Sequence, residues 1–294
     1  MFTKFDPQFQ KLLCCPICKG NLKFETPISC ETCNAKFPNI TLNTGNSNLE
    51  SIFDFRLNYP NFAKPPNIKK WEKSQNDYIK YSKNKSSSDD YRDYLSQVDS
   101  VKEIYTKEFL LSGNILDVGG HQGQLRFFLD QNVNYINCDI YPQIFENIGL
   151  CKHLLKVYPC LMQPCNFVAS SAEFLPFEKK SFDFVHMRSC LDHFADPLMA
   201  CREAYRVLKR GGELMVGLTM MEKMEELNVA KTSNTNKIKT QIAKLFIKND
   251  DHHLFRFSRS NLFDLLEEIG FYVTKEHWQK PPFNYCLYFT VKKR

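Results

Sequence analysis

Asn114-Ile115-Leu116-Asp117-Val118-Gly119-Gly120-His121-Gln122-Gly123-Gln124-Leu125 is the stretch on which the fold turns. A short apolar run ends in an acid, glycines follow at once, and Leu125-Arg126-Phe127-Phe128-Leu129 then takes a helix-compatible pattern. The expected order is strand, tight turn, helix. Glycine in the turn permits positive φ and lets a ligand approach the main chain where a Cβ would collide. The helix start beyond it is expected to offer unpaired N–H groups and the positive end of its dipole to a carboxylate or phosphate. Dinucleotide-binding folds use the same device, so this stretch alone leaves the ligand open.

Working outward, Tyr135-Ile136-Asn137-Cys138-Asp139 is a second short apolar strand that also ends in an acid. In an open α/β sheet an acid at that point can accept hydrogen bonds from both ribose hydroxyls of a nucleoside, so a nucleoside cofactor is expected. Next come Phe167-Val168-Ala169-Ser170-Ser171-Ala172-Glu173 and Ser181-Phe182-Asp183-Phe184-Val185-His186-Met187-Arg188. Leu191-Asp192-His193-Phe194-Ala195-Asp196-Pro197 leads into a helix to Leu208. Lys209-Arg210-Gly211-Gly212-Glu213-Leu214-Met215-Val216-Gly217-Leu218 follows as a fifth strand.

These motifs, in this order over roughly residues 105 to 294, resemble the class I S-adenosylmethionine-dependent methyltransferases, most closely the ubiquinone/menaquinone branch. The resemblance implies an α/β, Rossmann-like seven-stranded sheet with a C-terminal antiparallel hairpin, and S-adenosylmethionine as cofactor. It places Gly119 and Gly120 against the methionine moiety, Asp139 at the ribose and Ala172-Glu173 on the adenine side. Met187 and Arg188 would face the cofactor from the fourth strand, and Asp117 belongs to the same set. Two departures stand out. His121 occupies the middle position of the usual alternate-glycine pattern, and Ser171 stands where many relatives carry an adenine-contacting Asp; a Ser can still hydrogen-bond.

A chain of 294 residues accommodates one large α/β domain plus a small appendage, and 43% apolar with 24% charged residues is an ordinary globular balance. No apolar run reaches membrane-helix length and the N-terminus lacks a signal-peptide core, so a cytoplasmic protein with no membrane insertion is expected. Twelve cysteines fit that compartment as thiols or metal ligands. The formal charge of +6 is spread thinly along the chain, unlike the focused basic face of most nucleic-acid binders.

The second strong signal is N-terminal. Cys15-Pro16-Ile17-Cys18-Lys19-Gly20 and Cys30-Glu31-Thr32-Cys33-Asn34-Ala35 are two C-x-x-C pairs, each followed two positions on by a small residue. Four thiolates on two such turns suit tetrahedral Zn²⁺ with Cys15, Cys18, Cys30 and Cys33 as ligands, whereas a redox dithiol needs only one pair. Cys14 is read as a spare thiol. The ribbon resembles the zinc-ribbon activator subunit of tRNA and protein methyltransferases, and the zinc module of the large-subunit rRNA guanine-N1 methyltransferases. A closed four-thiolate site implies a structural ion, leaving scaffolding, substrate recognition or docking of a partner protein as the ribbon's role.

The chain divides on this reading into a zinc-ribbon module (1–58), a linker and helical lid segment (59–108) and the methyltransferase domain (109–294). Residues 41 to 70, rich in Asn, Pro and Lys, read as connection. Asp89 or Asp90 can start a helix on which Tyr91, Leu95, Val98, Val101 or Lys102, and Tyr105 recur at helical spacing. Packing on the sheet and closure over the cofactor are both open to these aromatics. Cys151, His153, Cys160 and Cys165 do not match paired metal knuckles and read as small buried hydrophobes. Asp196-Pro197 starts a helix that Gly211-Gly212 is expected to end. Residues 219 to 250 are the expected substrate cap. A helix from about Ser258 to Ile269 and strands near Phe271 to Trp278 and Asn284 to Val291 close the chain.

Methyl transfer to a hydroxyl also needs a proton removed, and histidine is the natural base near neutral pH. His193 lies just beyond the fourth strand, and His252 and His253 arrive after the cap; these three are the candidate catalytic residues, with Asp192 placed to orient His193. The leading function is methyl transfer to a small-molecule acceptor, sugar-linked or quinone-like. An RNA base methyltransferase that grips RNA through the ribbon is one alternative, and a non-catalytic binding protein of the same fold is another.

Overall fold

The computed structural model describes residues 1–45, 49–57, 68–86, 89–221, 253–280 and 285–294. His252, nearly all of the expected substrate cap and Asn284 lie outside these residues.

The seven expected strands are β6 (Asn114–Val118), β7 (Asn134–Asp139), β8 (Asn166–Ala169), β9 (Phe182–Arg188), β10 (Leu208–Thr219), β11 (Phe271–Trp278) and β12 (Cys286–Lys293). They lie side by side as β11-β12-β10-β9-β6-β7-β8. The five from β8 to β10 run parallel, and β12 is antiparallel to both β10 and β11. Sequence order reverses between β6 and β9, so a crevice opens at the C-terminal ends of these strands, where open α/β sheets bind ligands.

The sheet is longer than expected. Two strands, β4 (Asn39–Asn43) and β5 (Leu49–Asp54), extend it beyond β8 to nine, with Phe53 and Asp54 of β5 paired in parallel to Val168 and Ala169. The reading of 41 to 70 as connection therefore fails for 41–43 and 49–54. In β4 Ile40 and Leu42 alternate toward the core, but in β5 an exposed Leu49 and a buried Glu50 invert the pattern beside Ile52. Glu50 is buried because it collects the N-terminus: its carboxylate accepts from the amide of Phe2, and from the amide and hydroxyl of Thr3 at 2.6 Å.

The ribbon itself is a three-stranded antiparallel sheet of β1 (Leu22–Lys23), β2 (Ile28–Cys30) and β3 (Lys36–Phe37). It does not stand apart. Leu13, Ile28, Phe37 and Phe55 share one apolar cluster with Val118 and Ile136 of the main sheet and with Leu175 and Phe177 of the segment after β8. Each side chain buried there is worth roughly 1.5–3 kcal/mol relative to exposure. The Cys14 amide donates to Pro176 and the Glu178 amide to Leu12, a short stitch between the segments.

Two helices cover the open end of the sheet. The first spans Ile68–Ser86; the second, Tyr91–Glu103, is N-capped by the Asp90 carboxylate on the Arg92 amide and widens into a π-helical turn over Ile104–Glu108. The buried face runs through Val98, Val101, Ile104 and Tyr105, while Leu95 is exposed, so the expected register through Leu95 is shifted onto Tyr94. Asp196 caps the helix Pro197–Val207 as expected, through the Met199 amide. Gly211-Gly212 does not end that helix: the chain enters β10 at Leu208, and the glycines form an irregularity between its pairings at Leu208 and Glu213. Among the described residues no helix is long and apolar enough to cross a membrane, and all twelve cysteines are free thiols.

Candidate active site

A cavity of about 830 Å³ opens over the ends of β6, β7, β8 and β9 and beneath the two covering helices. One wall is the glycine turn. Gly119 sits at φ 70°, and a Cβ there would stand 2.8 Å from that of Cys190; at Gly120 a Cβ would fall 2.5 Å from the Asp117 carboxylate and from Asn137 Oδ1. Both positions thus require glycine for close approach. The helix expected after the turn is a single 3-10 segment, Gln124–Phe128, too short to build a dipole, so anion binding by a helix start is withdrawn.

Asp117 lies under this turn, 2% exposed, with both oxygens engaged. Oδ1 stands 2.7 Å from Nδ1 of His186, its neighbour across β6 and β9, and Oδ2 accepts from the Tyr135 hydroxyl at 2.5 Å. The far side of the imidazole, Nε2, is 2.8 Å from the Tyr105 hydroxyl. A carboxylate only accepts, so a neutral His186 carries its proton on Nδ1 and accepts from Tyr105 through Nε2. Burial holds the Tyr105 and Tyr135 phenols well above their ordinary pKa, keeping both as donors. This relay escaped the sequence reading, since His186 sits mid-strand among apolar residues.

Asp139 ends β7 and lines the cavity. Its two oxygens accept from the amides of His121 at 3.0 Å and Tyr141 at 2.9 Å. Burial pushes its carboxyl above the usual range, partly offset by His121 and those two amides. Ser171 also lines the cavity, and its buried hydroxyl has no protein partner among the described residues. Ala172 and Glu173 follow on the same wall. Glu173 Oε1 accepts from the Asp196 amide at 3.1 Å, which ties that wall to the start of the helix Pro197–Val207.

Of the two residues expected to face the cofactor from β9, only Arg188 lines the cavity. Met187 is fully buried in the core and absent from the cavity wall, because side chains alternate along a strand and Arg188 takes the cavity side together with His186. Arg188 Nε donates to the Tyr288 hydroxyl at 3.1 Å. Overhead, Trp71, Gln75 and Ile79 of the first covering helix and Tyr94, Gln97 and Val101 of the second close the space. Gln75 bridges it, bonding the Tyr141 hydroxyl and donating to the His193 carbonyl at 3.1 Å.

At the rim the structure brings together Asp192, His193 and His253. Asp192 Oδ2 is 3.3 Å from Nε2 of His253, and Oδ1 is 3.9 Å from Nε2 of His193; the two rings lie 4.5 Å apart. The amides of Leu254 and Phe255 both donate to the Asp192 carbonyl, which fixes the approach of the later segment. His193 lines the cavity.

Off the cavity wall stands the four-cysteine cluster. Cys15 and Cys33 have sulfurs 3.6 Å apart, Cys18 and Cys30 3.4 Å, and all four lie within 4.8 Å of one another. Sulfurs on a tetrahedral Zn²⁺ are separated by about 3.8 Å, so the set fits that ion. Burial raises the Cys30 thiol pKa, but the amides of Cys33 and Thr32, which point at its Sγ, and the neighbouring Cys18 and Cys33 thiols together bring it down to about 7. Cys14 faces away into the core, where burial pushes its thiol up to about 12, and it joins no cluster.

With this geometry in view, residues 116–216 match the family described as a methyltransferase domain. The chain carries a methyltransferase domain. The ubiquinone/menaquinone biosynthesis C-methyltransferase UbiE of Rickettsia prowazekii is 30% identical over 127 residues, 39% of this chain and 50% of that protein. An uncharacterized protein of Methanocaldococcus jannaschii is 29% identical over 178 residues, covering 60% of this chain and 71% of its own. Among solved structures, the 1,6-didemethyltoxoflavin-N1-methyltransferase of Burkholderia thailandensis, holding 1,6-didemethyltoxoflavin and S-adenosylhomocysteine, superposes with a TM-score of 0.51 at 14% identity, over 86% of this chain and 98% of that one. That likeness is one of fold. The chain spans about half the length of the first curated relatives it matches. The methyltransferase domain takes in the glycine turn, Asp139, Glu173, Arg188 and His193, while His253 and the four cysteines lie outside the matched span.

Proposed function

We propose that this chain transfers a methyl group from S-adenosylmethionine to a small-molecule acceptor of the sugar-linked or quinone-like kind. The observation that carries the reading is that one cavity joins the glycine turn and Asp139 to Arg188 and His193 beneath the two covering helices. When bound, S-adenosylmethionine supplies a methyl on a sulfonium, whose C–S bond breaks with its pair left on sulfur as the acceptor's lone pair takes the carbon.

The chain's own residues then divide the work. The ionised Asp139 carboxylate accepts from the ribose hydroxyls, Gly119 and Gly120 admit the methionine chain to the main chain of the turn, and Asp117 holds that turn from below. The Ser171 hydroxyl and the Ala172-Glu173 turn form the adenine side. Arg188 and His193 face the remaining space, where the acceptor is aligned, and His253 joins His193 at its rim. The covering helices exclude water and hold acceptor and methyl at near-attack distance. The ribbon carries a structural zinc ion on Cys15, Cys18, Cys30 and Cys33 and buttresses the sheet beside the cavity.

Calorimetric titration with S-adenosylmethionine and S-adenosylhomocysteine tests this. Wild type is expected to bind both, and Asp139→Ala to lose at least tenfold, since hydrogen bonds to a charged group contribute about 1.5–3 kcal/mol. Absence of binding by folded wild type overturns the enzyme reading and leaves a binding protein of methyltransferase fold. Salt-sensitive retention on RNA would move the acceptor from small molecule to RNA.

A further inference from the structure

We propose that Asp192, His193 and His253 form a second metal site, separate from the cysteine cluster, that takes a divalent first-row transition ion and presents it to the acceptor. Three kinds of observation converge on it. One ligand atom from each residue lies within 4.8 Å of the others. Both imidazoles turn Nε2 toward the same carboxylate, at 3.3 and 3.9 Å. Donors around an ion with bonds of 2.0–2.2 Å are separated by about 2.9 Å at right angles and about 3.4 Å at tetrahedral angles, so closure needs imidazole rotations of less than about 1 Å at the nitrogens.

The site is also held from three directions. The Asp192 and His193 side chains leave a 3-10 turn, Leu191–His193, directly beyond β9. His253 is brought in by the bonds from Leu254 and Phe255 to the Asp192 carbonyl, and the His193 carbonyl is held by Gln75 of the covering helix.

The donor set selects the ion. Two imidazole nitrogens and one carboxylate oxygen match Zn²⁺, Fe²⁺ or Co²⁺, whereas Mg²⁺ and Ca²⁺ prefer oxygen throughout. Three protein ligands leave coordination positions open, in contrast to the closed set of four thiolates in the ribbon. His193 lines the cavity, so an open position there can take an acceptor oxygen. Coordination lowers the pKa of a hydroxyl, and its proton leaves to solvent before the oxygen, or a ring carbon conjugated with it, takes the methyl. The acceptor class this favours is a phenol or enol. The ion's role at the acceptor rests on the methyltransferase reading; the ion's binding does not.

The test is metal content. Full-length protein dialysed against zinc and then zinc-free buffer is assayed by elemental analysis as wild type, Asp192→Asn and His253→Gln, with S-adenosylmethionine titrated into each. About two zinc ions per wild-type chain and about one in either variant, with cofactor binding retained, support the site. Cobalt substitution adds a readout independent of activity: the variants lose absorption from a nitrogen- and oxygen-ligated ion while thiolate-to-cobalt bands persist. One zinc per wild-type chain, or two in both variants, overturns the proposal. If wild type holds two ions but binds no cofactor, the methyltransferase reading fails while the metal site stands.

Discussion

Glu203→Ala is the perturbation that most directly asks whether the ribbon and the methyltransferase domain form one body. Glu203 lies on the helix Pro197–Val207 with its side chain 11% exposed. Its carboxylate takes Lys19 Nζ of the ribbon at 2.7 Å and Arg206 Nε and Nη2 at 2.6 and 2.8 Å. Removing one partner of a fully buried charge pair costs about 3–5 kcal/mol. Here Lys19 and Arg206 remain 30% and 23% exposed and keep carbonyl acceptors at Pro16, Leu175 and Phe177, so solvent and those carbonyls reduce the loss. We expect about 2 kcal/mol, read as a lowered urea midpoint at unchanged m-value. Glu203→Gln, which keeps the shape, separates charge from packing. Hydrogen exchange gives the local readout: the Cys14 and Glu178 amides, which stitch the ribbon to Pro176 and Leu12, should exchange faster. A stability change below about 0.5 kcal/mol, the range of ordinary surface substitutions, with those amides still protected, would refute the reasoning.

Three further outcomes follow from the site. Because burial raises the Asp139 pKa, its ionisation weakens the free fold, and that cost disappears as pH falls through the raised value. Ribose hydroxyls donate to the ionised form, so cofactor affinity should be full above the raised pKa and decline on acidification before ordinary carboxylates titrate; a flat calorimetric profile for wild type, matching Asp139→Asn, contradicts this. Gly120→Ala drives a Cβ to 2.5 Å from the Asp117 carboxylate and should cost about 1–3 kcal/mol by overpacking alone, lowering the thermal midpoint and cofactor affinity together. Gly211→Ala is its control: φ 75° strains an alanine there too, but the residue lies off the cavity wall, and equal losses of cofactor affinity in the two variants would be the wrong answer. Cys30→Ser should lose the ribbon's zinc under chelator challenge and lower the main thermal transition, and a metal content equal to wild type would remove the four-thiolate assignment.

The parts of the fold legible in the sequence were those with a local signature. Strong apolar runs ending in Asp117 and Asp139, and the Asp196-Pro197 cap, located β6, β7 and the helix Pro197–Val207 within a residue or so. Strands β4 and β5 were not legible, since β5 exposes Leu49 and buries Glu50 and their place depends on pairing with β8, more than a hundred residues away. The resemblance puts Met187 and Arg188 together toward the cofactor, although neighbours on a strand face opposite ways and only Arg188 lines the cavity. The Asp117–His186–Tyr105 relay was hidden for a related reason: it runs across two strands and a covering helix, and only tertiary structure joins them. His193 and His253 were both singled out, but nothing in their spacing of sixty residues showed that they would meet over Asp192.

That same long-range stitching changes what the ribbon can be. Lys19 and Arg206 both donate to the carbonyl of Leu175, two residues after Glu173, and Glu173 holds the amide of Asp196 at the start of the helix that carries Glu203. The wall expected to meet adenine is thus fastened at one end to the cysteine turn and at the other to the helix beneath it. Lys19 itself sits at φ 61° immediately after Cys18, a left-handed conformation that the knuckle turn imposes and that aims its side chain at Glu203. If the ribbon loses its metal, the turn that presents Lys19 loses its constraint, and the Leu175 carbonyl loses one of its two donors. Cofactor affinity should therefore fall in Cys30→Ser even though none of the ribbon's four clustered cysteines lines the cavity. An independent module would leave that affinity untouched, and calorimetry on the metal-depleted variant, checked for a retained main transition, distinguishes the two.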